Sequence, residues 1–256
     1  MMALLENPLG LFAMVFVGLV AAVEIGFRAA AHAAVRNDEA RHEQAVASRD
    51  TLGILLSLLL GFTLAMALPR FDLRKQLVID EANAIGTASL RSQILPEPAR
   101  NNMRELLGQY ADTRIVFSTT SLIKSELDPV LKRSSQLQSQ LWEQAAAAAR
   151  ENSGPVMALF LSSINDVIDL GEKRLAAVEN RIPISIWVML LLISVLTCLT
   201  FGYSARSRFW MVSVISPLMI AIVMWLIADL DSPRSGLIRA DYSSLVRARN
   251  DLRNAP

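Results

Sequence analysis

Four apolar stretches constrain this chain more than anything else in it. They run from about Pro8 to Phe27, Thr51 to Pro69, Ile184 to Tyr203 and Phe209 to Ala228. Each approaches or reaches the ~20 residues that a helix needs to cross ~30 Å of hydrocarbon. A segment in hydrocarbon must satisfy its own backbone N–H and C=O groups, so all four are expected to be transmembrane helices. Only the first holds a charged residue, Glu24, about one turn from its end, where the side chain can reach the interface. Gly18, Ala22 and Gly26 recur at four-residue spacing and would let another helix approach that side closely.

The first stretch is read as a retained helix and not as a cleaved signal peptide. Ala31-His32-Ala33 has the small-x-small form of a cleavage site, but the residues before the stretch offer no lysine or arginine, only Glu6, and the apolar run is too long. The spacing of the four stretches divides the chain into an N-terminal transmembrane hairpin (1–69), an extramembrane insert (70–183), a C-terminal hairpin (184–229) and a polar tail (230–256).

Residues 70–183 carry basic and acidic side chains in equal number and closely interspersed, with apolar positions recurring at three and four residues, so the insert is expected to be helical. The second membrane helix should continue outward through Leu73, Leu77, Ala84 and Ala88 until Pro96 and Pro98 stop it, with a possible kink at Pro69. A helix from about Pro98 to Lys124 would present Met103, Leu106, Leu107, Tyr110 and Phe117 on one stripe. Asp128-Pro129 reads as the start of the next, with Leu131, Ser134, Leu141 and Ala145 on one face. Pro155 opens a fourth, marked by Val156, Leu159, Val167 and Val178. The fold class is therefore all-α: a multi-pass membrane protein with a four-helix insert between its second and third spans, placed in the cell's inner membrane with the lipid bilayer as its first partner.

Composition enters where chemistry is at stake. Lys and Arg number 25 against 24 Asp and Glu, so no global field recruits nucleic acid. One cysteine, Cys198, and two histidines, His32 and His42, leave the chain poor in transition-metal ligands. Asp38 and His42 lie four apart beside Glu39 and Glu43, where helix-surface ion pairs with Arg36 and Arg41 explain them better than a divalent ion. No phosphate-binding loop, nucleophile elbow or HExxH motif is present. No enzyme activity, cofactor or metal is expected.

Where, then, could function reside? The first turns beyond the second span place Asp80, Glu81 and Asn83 together. Adjacent carboxylates on a helix diverge by ~100° and cannot act as a facing acid and base. At least one should turn to a neighbouring helix and pair with an arginine, while a ring of such groups in an oligomer could line an ion path. Asp229 and Asp231 follow the fourth span, where Arg70 or Arg74 are possible ion-pair partners.

"GFTLAMALPRFDLRKQLVIDEANAIGTASLRSQILPEP" and "LDSPRSG" resemble hallmark segments of bacterial membrane proteins called bestrophin-like, through Gly61, Phe62, Glu81, Ala82, Asn83, Ala84, Leu95, Pro96, Pro98, Asp231, Pro233 and Gly236. The resemblance covers most of the chain from Thr51 onward. It implies kinship to bestrophins, which are pentameric anion channels with helical membrane and extramembrane parts, and hence a homo-oligomer passing small anions. The acidic calcium clasp of bestrophins has no counterpart here, where the tail mixes Arg234, Arg239, Arg247, Arg249 and Arg253 with aspartates. The resemblance also implies a cytosolic insert. The positive-inside rule points the other way through Arg28, Arg36, Arg41, Arg49, Arg206 and Arg208 in the short loops, with Arg70, Arg74 and Lys75 opposing it.

Two functions follow as expectations. One is an oligomeric channel with a pore lined by Thr51 to Met66, apolar residues forming a dewetting constriction and Ser57 and Thr63 facing water. The other is a membrane-anchored sensory or interaction module that uses the insert and transports nothing.

Overall fold

The computed structural model describes residues 8–32, 38–151, 154–207, 210–234, 236–238 and 240–254. Glu6, Ala33, Arg36, Arg208, Phe209 and Arg239, all used above, lie outside them. The described residues form helices and no strand: α1 (Pro8–His32), α2 (Glu39–Ser92), α3 (Ala99–Thr119), α4 (Lys124–Glu151), α5 (Pro155–Glu179), α6 (Ile184–Ser204), α7 (Trp210–Asp231) and α8 (Ser243–Asn254). Four of them contain stretches long and apolar enough to cross a membrane: α1, α2, α6 and α7.

The chain divides into two compact units, each built from two separated segments. The membrane unit comprises Met1–Arg70 and Arg181–Ile238. Here α1 packs along both α6 and α7, burying Val15, Leu19, Ala22 and Val23 at helical spacing. Gly26 and Gly202 mark where α1 and α6 touch: a Cβ on Gly26 would land on the Leu199 carbonyl, and one on Gly202 on the Val23 carbonyl. Gly18, by contrast, faces open space. Glu24 accepts a hydrogen bond from Arg28 Nε at 2.7 Å, one turn further along the same helix. On the connection, Asp38 pairs with Arg41 at 3.1 Å and Glu39 with Arg206 at 2.5 Å.

The second unit comprises Phe71–Asn180 and Arg239–Pro256. The outward half of α2 buries Arg74, Leu77, Val78, Glu81, Ala82, Ile85 and Ala88, a three-and-four spacing that turns one face to α3, α4 and α5. This face differs from the stripe read from the sequence, since Leu73 is 48% exposed. α3 ends at Thr119, short of Lys124, because Ser118, Thr119 and Thr120 turn their hydroxyls onto carbonyls of the last turn. α4 starts at Lys124, one turn before Asp128, and carries Pro129 inside it. The turn is already closed there by Glu126 and Leu127 N–H on the Ile123 carbonyl. In α5 the buried face is Met157, Phe160, Ile164, Val167, Gly171, Arg174 and Ala177, while Val156 and Leu159 are exposed.

The residues from Ser243 form a helix, α8, not singled out in the sequence. Asp241 caps it, accepting both the N–H and the hydroxyl of Ser243, and these bonds hold its carboxyl below the usual value. Leu245 and Leu252, two turns apart, enter the same core as α2 and α3. Asp112 of α3 holds Arg249 and Arg253 at 3.1 and 2.9 Å, and Arg104 Nε donates to the Leu252 carbonyl.

Candidate functional site

The three polar residues at 80–83 separate as their helical register dictates. Asp80 is half-buried and accepts a bond from Gln76 Nε2 at 2.9 Å, one turn back on α2. Asn83 is exposed and lines a groove of about 550 Å³ with Gly86, Thr87 and Leu90 of α2 and Ser244 and Arg247 of α8. Glu81 is wholly buried.

Around Glu81 the second unit assembles a polar centre from three helices. Arg114 of α3 donates through Nε to Oε1 at 2.5 Å, and Arg174 of α5 through Nη1 to Oε2 at 2.6 Å. The Tyr110 hydroxyl donates to Oε1 at 3.3 Å. Second bonds fix the arginines: Arg114 Nη2 reaches the Gly171 carbonyl at 3.2 Å and Arg174 Nη2 the Ser118 hydroxyl at 2.5 Å. Gln138 Nε2 of α4 donates to the Tyr110 oxygen at 3.5 Å. Gly171 is required by this crowding, since a Cβ there would strike the Tyr110 hydroxyl.

Two guanidiniums against one carboxylate leave a surplus positive charge in the core. The Phe117 ring takes part of it, with Arg114 Cζ 4.4 Å and Arg174 Cζ 5.3 Å from the ring centre. Burial lowers the pKa of Arg174, while Glu81 raises it and Arg114 lowers it further. Burial first, and then Glu81, push the Tyr110 phenol above its ordinary range. Both oxygens of Glu81 are committed to donors, so neither is open to a substrate. The centre holds α2, α3 and α5 in one register.

Of this centre, Glu81 stands out in the sequence, and Tyr110 and Phe117 fall on an apolar stripe. Arg114 sits between them, at i+4 from Tyr110 and i−3 from Phe117, and is not among the residues singled out from the sequence. An arginine inside such a stripe, matched by Arg174 one turn beyond Gly171, was the available signal.

In the membrane unit, the Ser57 hydroxyl is exposed and bonds back to the Ile54 carbonyl at 2.8 Å. Thr63 is 3% exposed and bonds to the Leu59 carbonyl at 2.7 Å, on the face of α2 turned into its own unit. Asp229 is fully buried at the end of α7, and its two oxygens accept the N–H groups of Leu237 and Ile238, both at 2.9 Å. Gly236, at φ 145°, makes the turn that brings them there, and a Cβ on it would collide with Asp229 Oδ1. Asp231 accepts the Ile182 N–H at 3.0 Å. Arg74 is buried in the second unit, and Arg70 Nη1 is buried in the membrane unit with no hydrogen-bond partner. Among the described residues no cluster of His, Cys, Asp or Glu is arranged to hold a metal.

The family model of the Bestrophin-like domain matches residues 14–245, which takes in the membrane helices, the Glu81 centre and the Asp229 turn. This chain belongs to the bestrophin-like family. The fold of this bestrophin-like protein is also that of solved structures. A crystal structure of a bacterial bestrophin homologue from Klebsiella pneumoniae aligns over 92% of this chain and 96% of its own, with TM-score 0.66 and 16% identity. A single-substitution variant of the Klebsiella pneumoniae homologue gives TM-score 0.67 at 14% identity, over 94% and 95%. A structure described as a membrane protein gives TM-score 0.68 at 14% identity, over 93% and 97%. At these identities the likeness is one of fold. Among curated proteins no match is found. The bestrophin-like chain is thus an all-helical membrane protein, as its apolar stretches required.

Proposed function

We propose that this protein is one subunit of an oligomeric channel for small anions in the cell's inner membrane, with the pore formed between copies by the membrane stretch of α2. One observation carries this reading. In its most apolar stretch α2 has only 17% of residues buried by its own chain, against 39% in α7. Ile54, Leu58 and Phe62 are 71%, 54% and 61% exposed, on the side of α2 away from the buried Leu56, Leu60, Thr63 and Ala67. Lined up around an axis, such residues make a hydrophobic constriction that passes ions when wetted and blocks them when dry, with Ser57 as a polar step. Membership of the bestrophin-like family supports the same assignment.

The test is flux. Purified protein in liposomes should pass chloride, and Phe62→Ala, which shortens an uncovered side chain, should raise the rate while Thr63→Val leaves it unchanged. Silent liposomes over a wide range of voltage and pH, from protein whose native mass is that of a monomer, would overturn the proposal.

The groove between α2 and α8 favours a second reading, a membrane-anchored module that binds a partner through Asn83, Thr87 and Arg247. On that reading Asn83→Arg abolishes partner capture by the full-length protein and flux is absent in every variant.

A further inference from the structure

Among the described residues of the membrane unit, the buried side-chain donors without a hydrogen-bond partner include Arg70 Nη1, Trp187 Nε1 and Trp225 Nε1. In hydrocarbon such groups are costly unless something accepts from them. They share one end of the unit. Arg70 is the last residue of α2 assigned to it. The bond from Ile182 N–H to Asp231 Oδ1 ties the start of α6 to the end of α7. Trp187 comes shortly after this tie and Trp225 shortly before it, so at 1.5 Å per residue both lie within roughly 10 Å of it along their helices.

The chemistry of the three is one-sided. An indole offers a single donor and a guanidinium five, and neither accepts. One of the three is a cation. The carboxylates of the same end are already engaged, Asp229 by Leu237 and Ile238 and Asp231 by Ile182. What suits these donors is an oxyanion from outside the chain, and a depth of one to two turns from the helix ends is where lipid headgroups meet tryptophan.

We propose that this end of the membrane unit binds a phosphate-class oxyanion, carried by a phospholipid headgroup or free in solution, with Arg70 supplying the charge and Trp187 and Trp225 the neutral donors. The site is separate from the α2 face assigned to the pore, and it stands or falls independently of channel activity.

Native mass spectrometry of the full-length protein in a phosphate-free maltoside detergent tests it, with phosphatidylglycerol, diacylglycerol of the same acyl chains and inorganic phosphate as probes. Wild type should retain phosphatidylglycerol and release diacylglycerol. Arg70→Gln and the double variant Trp187→Phe/Trp225→Phe should each lower retention about tenfold, the loss that one charge-assisted or two neutral hydrogen bonds represents. Displacement of the lipid by millimolar inorganic phosphate would assign the site to the free anion, and persistence of the lipid would assign it to the headgroup. Equal retention by variants and wild type, equal retention of diacylglycerol, or no binding of any probe would overturn the proposal. Should a variant fail to fold, the wild type still decides: its tryptophan emission must shift on saturation with the bound probe, and an unchanged spectrum refutes the site.

Discussion

Arg114 and Glu81 meet at 2.5 Å, Nε to Oε1, with 2% and 0% of their side chains exposed, although they stand 33 positions apart in the chain. Removing one partner of such a pair leaves the other charged, buried and unmatched. Glu81→Gln strands two guanidiniums, and the expected cost is about 3–5 kcal/mol. Thermal unfolding in detergent should show a lower midpoint for Glu81→Gln than for Asp80→Asn, whose side chain is half-exposed. Equal midpoints would contradict the central role given to Glu81.

Gly171 and Tyr110 are coupled by space. Gly171→Ala pushes a methyl group into the Tyr110 hydroxyl and should destabilise by about 1–3 kcal/mol. Tyr110→Phe removes the obstructing oxygen together with its bond to Glu81, a loss of about 1 kcal/mol. The double variant should therefore be more stable than the sum of the two losses allows, and a cycle of four unfolding measurements reads that difference. Strict additivity would mean that something other than the hydroxyl, Gln138 Nε2 at 2.9 Å or the backbone, absorbs the methyl.

Alkaline pH should loosen the second unit through the same phenol. Burial and Glu81 raise the Tyr110 pKa in the folded chain, whereas a tyrosine in the unfolded chain ionises near pH 10. Above that pH the unfolded chain holds fewer protons than the folded one, so this contribution is fully present below pH ~10 and is lost as pH rises past it. Unfolding midpoints measured from pH 9 to 11 should fall more steeply for wild type than for Tyr110→Phe. Parallel curves would remove Tyr110 as the cause.

Asp229 gathers the chain after α7 into a turn by accepting two backbone N–H groups. Asp229→Ala should release residues 232–238, with a loss of about 1.5–3 kcal/mol per charge-assisted bond. Gly236→Ala should reproduce the effect from the other side, because its φ of 145° is strained for any Cβ and the methyl meets Oδ1. Limited proteolysis should cut both variants within 232–238 faster than wild type. Unchanged cleavage would show that the turn stands without Asp229.

What could be read from the sequence depended on how far each signal reached along the chain. The membrane helices were legible because twenty consecutive apolar residues state their environment locally. Glu81 stood out as a charge beside a buried register, yet its partners lie 33 and 93 residues away, and nothing in a local window ties Arg174 to it. The stripe on α5 was drawn one position off because apolar residues surround that helix: Val156 and Leu159 are as hydrophobic as the Met157 and Phe160 that are buried. α8 offered Leu245, Val246, Ala248 and Leu252 among arginines and asparagines, too little apolar surface to distinguish a docking helix from a tail.

The paired glycines at the crossing of α1 and α6 bear on how the protein is made. Gly26 leaves the ribosome early, but the carbonyl it rests on belongs to Leu199, and the last helix of the second unit is translated after every membrane helix. Neither unit can close until its second segment, Arg181–Ile238 or Arg239–Pro256, has been translated. During that interval the first hairpin sits in the bilayer with a bare notch where α6 will seat, and the Glu81 centre forms beneath a core that still lacks α8. A nascent chain stalled before Ile184 would therefore hold two half-built structures at once, and the quality-control machinery of the membrane would meet both.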